Sequence, residues 1–122
     1  MNLKQYNLAK QLFLISLKHT VDYNKRSIYF GLARSTQHMK QLGESQFYFR
    51  KAIEYNKCMS YHVYYHYGRL LLEMNDLHNA KKQYEICLNC KNNVRNPHAN
   101  VEIYNDYAYL MKLLKKLKIT HM

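Results

Sequence analysis

A self-similarity at a spacing of 35 residues runs through the middle of the chain. Tyr64, Tyr67, Gly68 and Leu71 share one helical face, and after a break at Met74-Asn75-Asp76 the residues Leu77, Ala80, Tyr84, Cys87 and Leu88 share another. The same pattern stands 35 positions earlier as Tyr29, Leu32, Ala33 and Thr36, followed by Leu42, Ser45, Phe49, Ala52 and Ile53. Small residues correspond at 33/68, 45/80 and 52/87, and aromatic ones at 29/64 and 49/84. A step of 36 back from the second half gives Tyr6, Ala9, Phe13, Ser16 and Leu17, and a step of 40 forward from the first gives Tyr104, Tyr107, Ala108 and Met111.

Gly68 makes the physical demand plain. A glycine inside a helix costs about 1 kcal/mol relative to alanine, so a close approach must compensate. Two antiparallel helices come together tightly only where one presents little side chain. Gly68 and Ala33 are the expected points on the first helix of each hairpin, opposite Ala80 and Ser45, with Tyr84 and Phe49 filling the space between hairpins. Only three glycines and one proline punctuate the chain, which favours long helices with short connections. The fold expected is all-α.

These residues resemble the tetratricopeptide repeat, a helix–turn–helix unit of about 34 residues. The family carries an aromatic, a leucine, a small residue and a tyrosine on helix A, then small, aromatic and small residues on helix B. Residues 61–94 follow it through Tyr64, Tyr67, Gly68, Leu71, Ala80, Tyr84 and Cys87, and residues 26–59 follow it with Thr36 and Ser45 as the weaker matches. Residues 2–22 read as an orphan helix B, and residues 98–117 as an orphan helix A or capping helix, within one domain spanning 1–122. Three features depart from the pattern. Lys57 and Asn92 stand where the family has a proline, and the turn glycine is displaced to Gly43 or replaced by Asn75. A longer loop, roughly Lys91 to His98, takes its turn chemistry from Asn92, Asn93, Asn96 and Pro97.

The resemblance implies a right-handed α-solenoid of about six antiparallel helices and a non-catalytic adaptor or scaffold that holds a peptide or helix, acidic or mixed, in a concave groove lined by helices A. Positions pointing away from helix B are Ser27, Phe30, Arg34 and Gln37 in one repeat, His62, Tyr65, Arg69 and Leu72 in the next, and Glu102, Asn105, Tyr109 and Lys112 on the last helix. Arg34 and Arg69 occupy equivalent positions, which on neighbouring helices are about 10 Å apart, and each guanidinium suits a carboxylate or phosphate. A solvated basic face accounts for the pair equally well. The dicarboxylate clamp of chaperone-binding members does not carry over. Its positions fall on Phe30, Arg34, His66, Glu102 and Asp106, two of them acidic.

The net charge of +11 invites an acidic peptide, a membrane surface or nucleic acid. Codon bias in an AT-rich genome explains it as readily, because lysine, asparagine, tyrosine and isoleucine are abundant together. An RNA-binding or ribosome-associated helical repeat is therefore the alternative reading, supported by Lys112, Lys115, Lys116 and Lys118, with Tyr65 and Tyr109 available for base stacking. Three cysteines are too few for a secreted disulfide framework, so an intracellular, cytoplasmic setting is expected. No apolar run reaches the length of a membrane span. Residues 1–21 hold three lysines and no acid, but they lack arginine and join the repeat, so they read as part of the domain rather than a transit peptide.

Neither metal nor catalytic chemistry is expected. Cys87 and Cys90 form a CxxC, yet Cys87 falls on the core position and His62 and His66 on the groove side, so they do not converge as zinc ligands must. No nucleophile motif, phosphate loop or HExxH is present. No cofactor is implied. The first helix is more apolar than one face requires, through Leu3, Leu8, Leu12 and Ile15 among others, so a strip is expected to stay exposed for a homo-oligomeric contact or another subunit.

Overall fold

The computed structural model describes residues 2–55, 61–90 and 97–120, and every regular element among them is a helix. The order is α1 (Leu3–Lys18), α2 (Asp22–His38), α3 (Leu42–Glu54), α4 (Tyr61–Glu73), α5 (Leu77–Asn89) and α6 (Pro97–Thr120). They form two compact units, Met1–Lys57 and Cys58–Met122. In the first, α2 packs on both α1 and α3; in the second, α5 packs on both α4 and α6. The fold is an all-α helical repeat.

Local chemistry sets the helix ends. Asn2 caps α1 by accepting from the Gln5 amide at 3.0 Å, while the Gln5 side chain accepts from the Asn2 amide at 2.8 Å, a reciprocal capping box. The first helix stops at Lys18, short of the expected 22, and α2 begins at Asp22. Thr20 and Val21 are β-branched, hence poor helix formers, and Val21 is extended. The expected loop over residues 91–96 lies outside the described residues, as do Lys57 and Asn92. Pro97, expected in that loop, is the first residue of α6, where a missing amide proton costs nothing.

The two hairpin turns are built alike. Lys40 and Asn75, 35 residues apart, both take the left-handed conformation, with φ of 61° and 60°. The Gln41 amide donates to the Thr36 carbonyl at 2.9 Å and the Lys40 amide to the Gln37 carbonyl at 3.0 Å. In the second hairpin Asp76 donates to Leu71 at 2.8 Å and Asn75 to Leu72 at 3.0 Å. Both are Schellman motifs, which satisfy carbonyls left over at a helix end. Gly43 is therefore not the displaced turn glycine. It lies in the first turn of α3, and the turn position belongs to Lys40.

In the first unit Leu32, Ala33, Thr36, Ser45, Phe49 and Ala52 are buried. The Ser45 hydroxyl donates across the hairpin to the Ala33 carbonyl at 2.7 Å, which explains a serine at a small core position. Helix α1 adds no fully buried residue. It is held by Phe13 against Gly31, by stacking of Tyr6 on His38 at 4.4 Å, and by a 2.8 Å ion pair from Lys10 to Glu44. Its outer stripe is bare: Leu8, Leu12 and Ile15 are each more than half exposed.

In the second unit Tyr64, Tyr67, Gly68, Leu71, Ala80, Tyr84 and Cys87 are buried. The closest neighbour of Gly68 is not Ala80. A Cβ there would sit 3.2 Å from the ring of Tyr84, so the glycine admits that tyrosine. The last helix also differs from expectation. Tyr104 is 58% and Met111 38% exposed, whereas Ile103 and Leu110 are buried, with Asp106 and Tyr107 half-buried between them. The register of α6 follows a step of 39 from Tyr64, Tyr67, Gly68 and Leu71, because one residue turns a helix by about 100°.

Two stability changes are expected. Gly68→Leu pushes on the Tyr84 ring and lowers the unfolding free energy by about 1–3 kcal/mol or more, measured by urea denaturation. Lys40→Gly removes a left-handed strain and raises stability by up to about 1 kcal/mol; an unchanged or lower urea midpoint contradicts that account.

Candidate functional site

Helices α4 and α6 face one another across a groove of about 510 Å³. Tyr65, Arg69, Leu72 and Glu73 line it from α4, and Glu102, Asn105, Asp106 and Tyr109 from α6. It continues past Tyr65, Arg69 and Glu102 into a recess of about 210 Å³ reached by His62 and His66. The four-residue spacing of Tyr65 and Arg69 puts them on one face of α4, one turn apart. The guanidinium carbon of Arg69 lies 5.8 Å from the Tyr65 ring centroid, a cation–π arrangement worth about 0.5–1 kcal/mol at an exposed site.

Asp106 organises the inner wall. It accepts a hydrogen bond from the fully buried Tyr84 at 3.4 Å, and its charge acts on Tyr65 beside it. Burial first, and then the Asp106 charge, push the Tyr65 hydroxyl up to about 12. The same causes raise Tyr84 further. Both hydroxyls therefore stay protonated donors at neutral pH. Tyr65 is 7% exposed, its ring meeting Tyr84 edge-on at 6.0 Å. It forms the floor of the groove rather than a free stacking platform.

Three of the eight acids of the chain, Glu73, Glu102 and Asp106, line this groove with a single arginine. The arrangement offers carboxylates to a cation and one guanidinium to an acceptor. Among the described residues no three His, Cys, Asp or Glu side chains gather as a metal site, and the buried Cys87 thiol donates to the Tyr61 carbonyl at 3.5 Å.

Residues 27–57 and 61–93, just over half of the chain, match the family model of the tetratricopeptide repeat. The chain belongs to the tetratricopeptide repeat family. No curated protein matches it as a relative. Tetratricopeptide repeats generally mediate protein–protein interactions, and the family is typically non-catalytic. Among the described residues no helix is long and apolar enough to cross a membrane.

Of the groove residues expected from sequence, His62, Tyr65, Arg69, Asn105 and Tyr109 line this connected surface of the tetratricopeptide fold. Lys112 does not. It lines a separate groove between α5 and α6, with Lys81 and Lys115. Phe30 and Arg34 belong to the first unit, where they repeat the 65/69 geometry: the Arg34 guanidinium carbon is 5.8 Å from the Phe30 ring, which meets Phe49 edge-on at 6.2 Å. Glu102, expected on the same face of the last helix, also lines the groove, and the residues missed as groove formers are Glu73 and Asp106. The two buried tyrosines, which need an acceptor, were the available signal for Asp106.

A pH titration tests the Asp106 wall. Between pH 10 and 12 the unfolded chain releases a Tyr65 proton that the folded chain keeps, so stability is full below 10 and falls as pH rises through that window. Asp106→Asn is expected to lower the Tyr65 titration, followed by tyrosinate absorbance, without returning it to 10.0, because burial remains. A titration unmoved by the substitution removes Asp106 from the account.

Proposed function

We propose that the chain is a non-catalytic adaptor that holds a peptide or helix of another protein in the α4/α6 groove. The observation that supports this reading most is the convergence of His62, Tyr65, Arg69, Asn105 and Tyr109 on one concave surface with mixed charge. The best-matched occupant is a mixed segment. A lysine or arginine answers Glu73, Glu102 and Asp106, and a carboxylate or backbone carbonyl answers Arg69. A uniformly acidic segment meets three carboxylates of like sign. In the first unit, taken by itself, Arg34 packed on Phe30 is a separate candidate contact, and the bare stripe of α1 is another, made to another subunit or a second copy.

The RNA-binding alternative draws on the charge of +11 and the lysines at 112, 115, 116 and 118. Tyr65, proposed for stacking, is buried, and this favours the protein partner. Affinity capture from native lysate, with and without nuclease, separates the readings. Partners that survive nuclease and are lost with Arg69→Glu or Glu102→Lys support the groove. Partners lost on nuclease treatment, with binding that falls steeply as salt rises, replace it with nucleic acid. Partners indifferent to the groove variants but lost with Leu8→Glu/Leu12→Glu move the contact to α1.

A further inference from the structure

The far side of α6 carries a second groove, of about 400 Å³, between α5 and α6. Lys81 of α5 stands on one wall and Lys112, Lys115 and Lys118 on the other, over an apolar floor that includes Met111 and Leu114. No acid lines it, although Glu102 and Asp106 line the opposite side of the same helix, with Glu73 facing them from α4. No tyrosine or phenylalanine lines it, in a chain with thirteen tyrosines, and its one aromatic ring is the imidazole of His78.

We infer that this groove docks an acidic amphipathic helix of a partner protein, independently of the α4/α6 groove. Ala108, Met111, Lys115 and Lys118 follow one another along α6 over about 15 Å, room for about three turns of a second helix. An apolar stripe at helical spacing on the incoming helix covers Met111 and Leu114, and glutamates or aspartates flanking that stripe meet the lysines on both walls. Single-stranded nucleic acid is the poorer occupant, because successive bases need several aromatic faces and this groove offers only the imidazole of His78. A lipid surface is poorer too, since membrane-binding helices present a protruding apolar face and here the apolar atoms form a concave floor.

Fluorescence anisotropy tests this with a labelled synthetic peptide of about 18 residues. Leucines stand at helical spacing and glutamates elsewhere. Its controls are a scrambled isomer, a Glu→Gln version, a uridine oligonucleotide and phosphatidylserine vesicles. Wild-type protein is expected to bind the amphipathic peptide saturably, and each control peptide at least about tenfold more weakly. Lys112→Glu/Lys115→Glu and Met111→Glu, checked for intact helical circular dichroism, are each expected to lose about tenfold or more. Lys112 and Lys115 are exposed, so the charge variant preserves the fold. Arg69→Glu, in the other groove, is expected to leave this binding unchanged. Equal binding of the scrambled peptide, absence of saturable binding, or insensitivity to both floor and wall variants overturns the inference. So does tighter binding of the oligonucleotide or the vesicles that the same variants abolish.

Discussion

The C-terminal unit depends on one tyrosine. Tyr84 is wholly buried, and a buried phenol sets two conditions at once. Its ring needs space, which the missing side chain of Gly68 provides, and its hydroxyl needs an acceptor, which Asp106 provides at 3.4 Å. Leaving that hydroxyl unsatisfied would cost about 1–3 kcal/mol, comparable to the helix penalty of the glycine. One side chain thus joins α4, α5 and α6. The first unit meets the same packing position with Phe49, which has no hydroxyl, and Ala33 stands where the second unit has Gly68. A phenyl ring needs no acceptor, so no carboxylate is required there.

From that tyrosine follows the orientation of α6. With Asp106 turned toward Tyr65 and Tyr84, Ile103 and Leu110 fall into the core. Glu102, Asn105 and Tyr109 then line the groove with α4, while Ala108, Met111 and Lys115 line the groove with α5. What each groove presents is therefore tied to the part-buried hydrogen bond between Tyr84 and Asp106. A rotation of α6 by one residue would exchange much of what each groove presents.

The repeat was legible because packing demands it twice. Positions 33, 45, 52, 68, 80 and 87 must be small for helices to approach, and all six are buried. Groove positions on α4 were legible for the same reason, since the core face of a helix fixes its opposite face. The limits are equally physical. Lys40 gave no sign of a left-handed turn, because lysine has no preference for one; the hydrogen bonds of the Schellman motif are formed with it there. Gly31 had no assigned role, and the structure places the Phe13 ring against it, a contact between the first full repeat and the helix that precedes it. The register of α6 was misjudged because a tyrosine-rich helix offers aromatic residues on several faces. Tyr104 and Tyr107 matched the pattern by type, while Ile103 and Leu110 were the residues the core required.

The net charge, finally, is a poor guide to what either surface meets. A helix with its side chains is about 10–12 Å across, and the Debye length at physiological salt is about 8 Å. A ligand on one side of α6 is therefore largely screened from the charges on the other. In the α4/α6 groove it meets Glu73, Glu102 and Asp106 with Arg69; in the α5/α6 groove it meets Lys81, Lys112, Lys115 and Lys118. The formal charge of +11 averages over these two fields and describes neither. A basic chain can in this way keep an acid-lined groove, provided that a helix stands between that groove and the lysines of its neighbour.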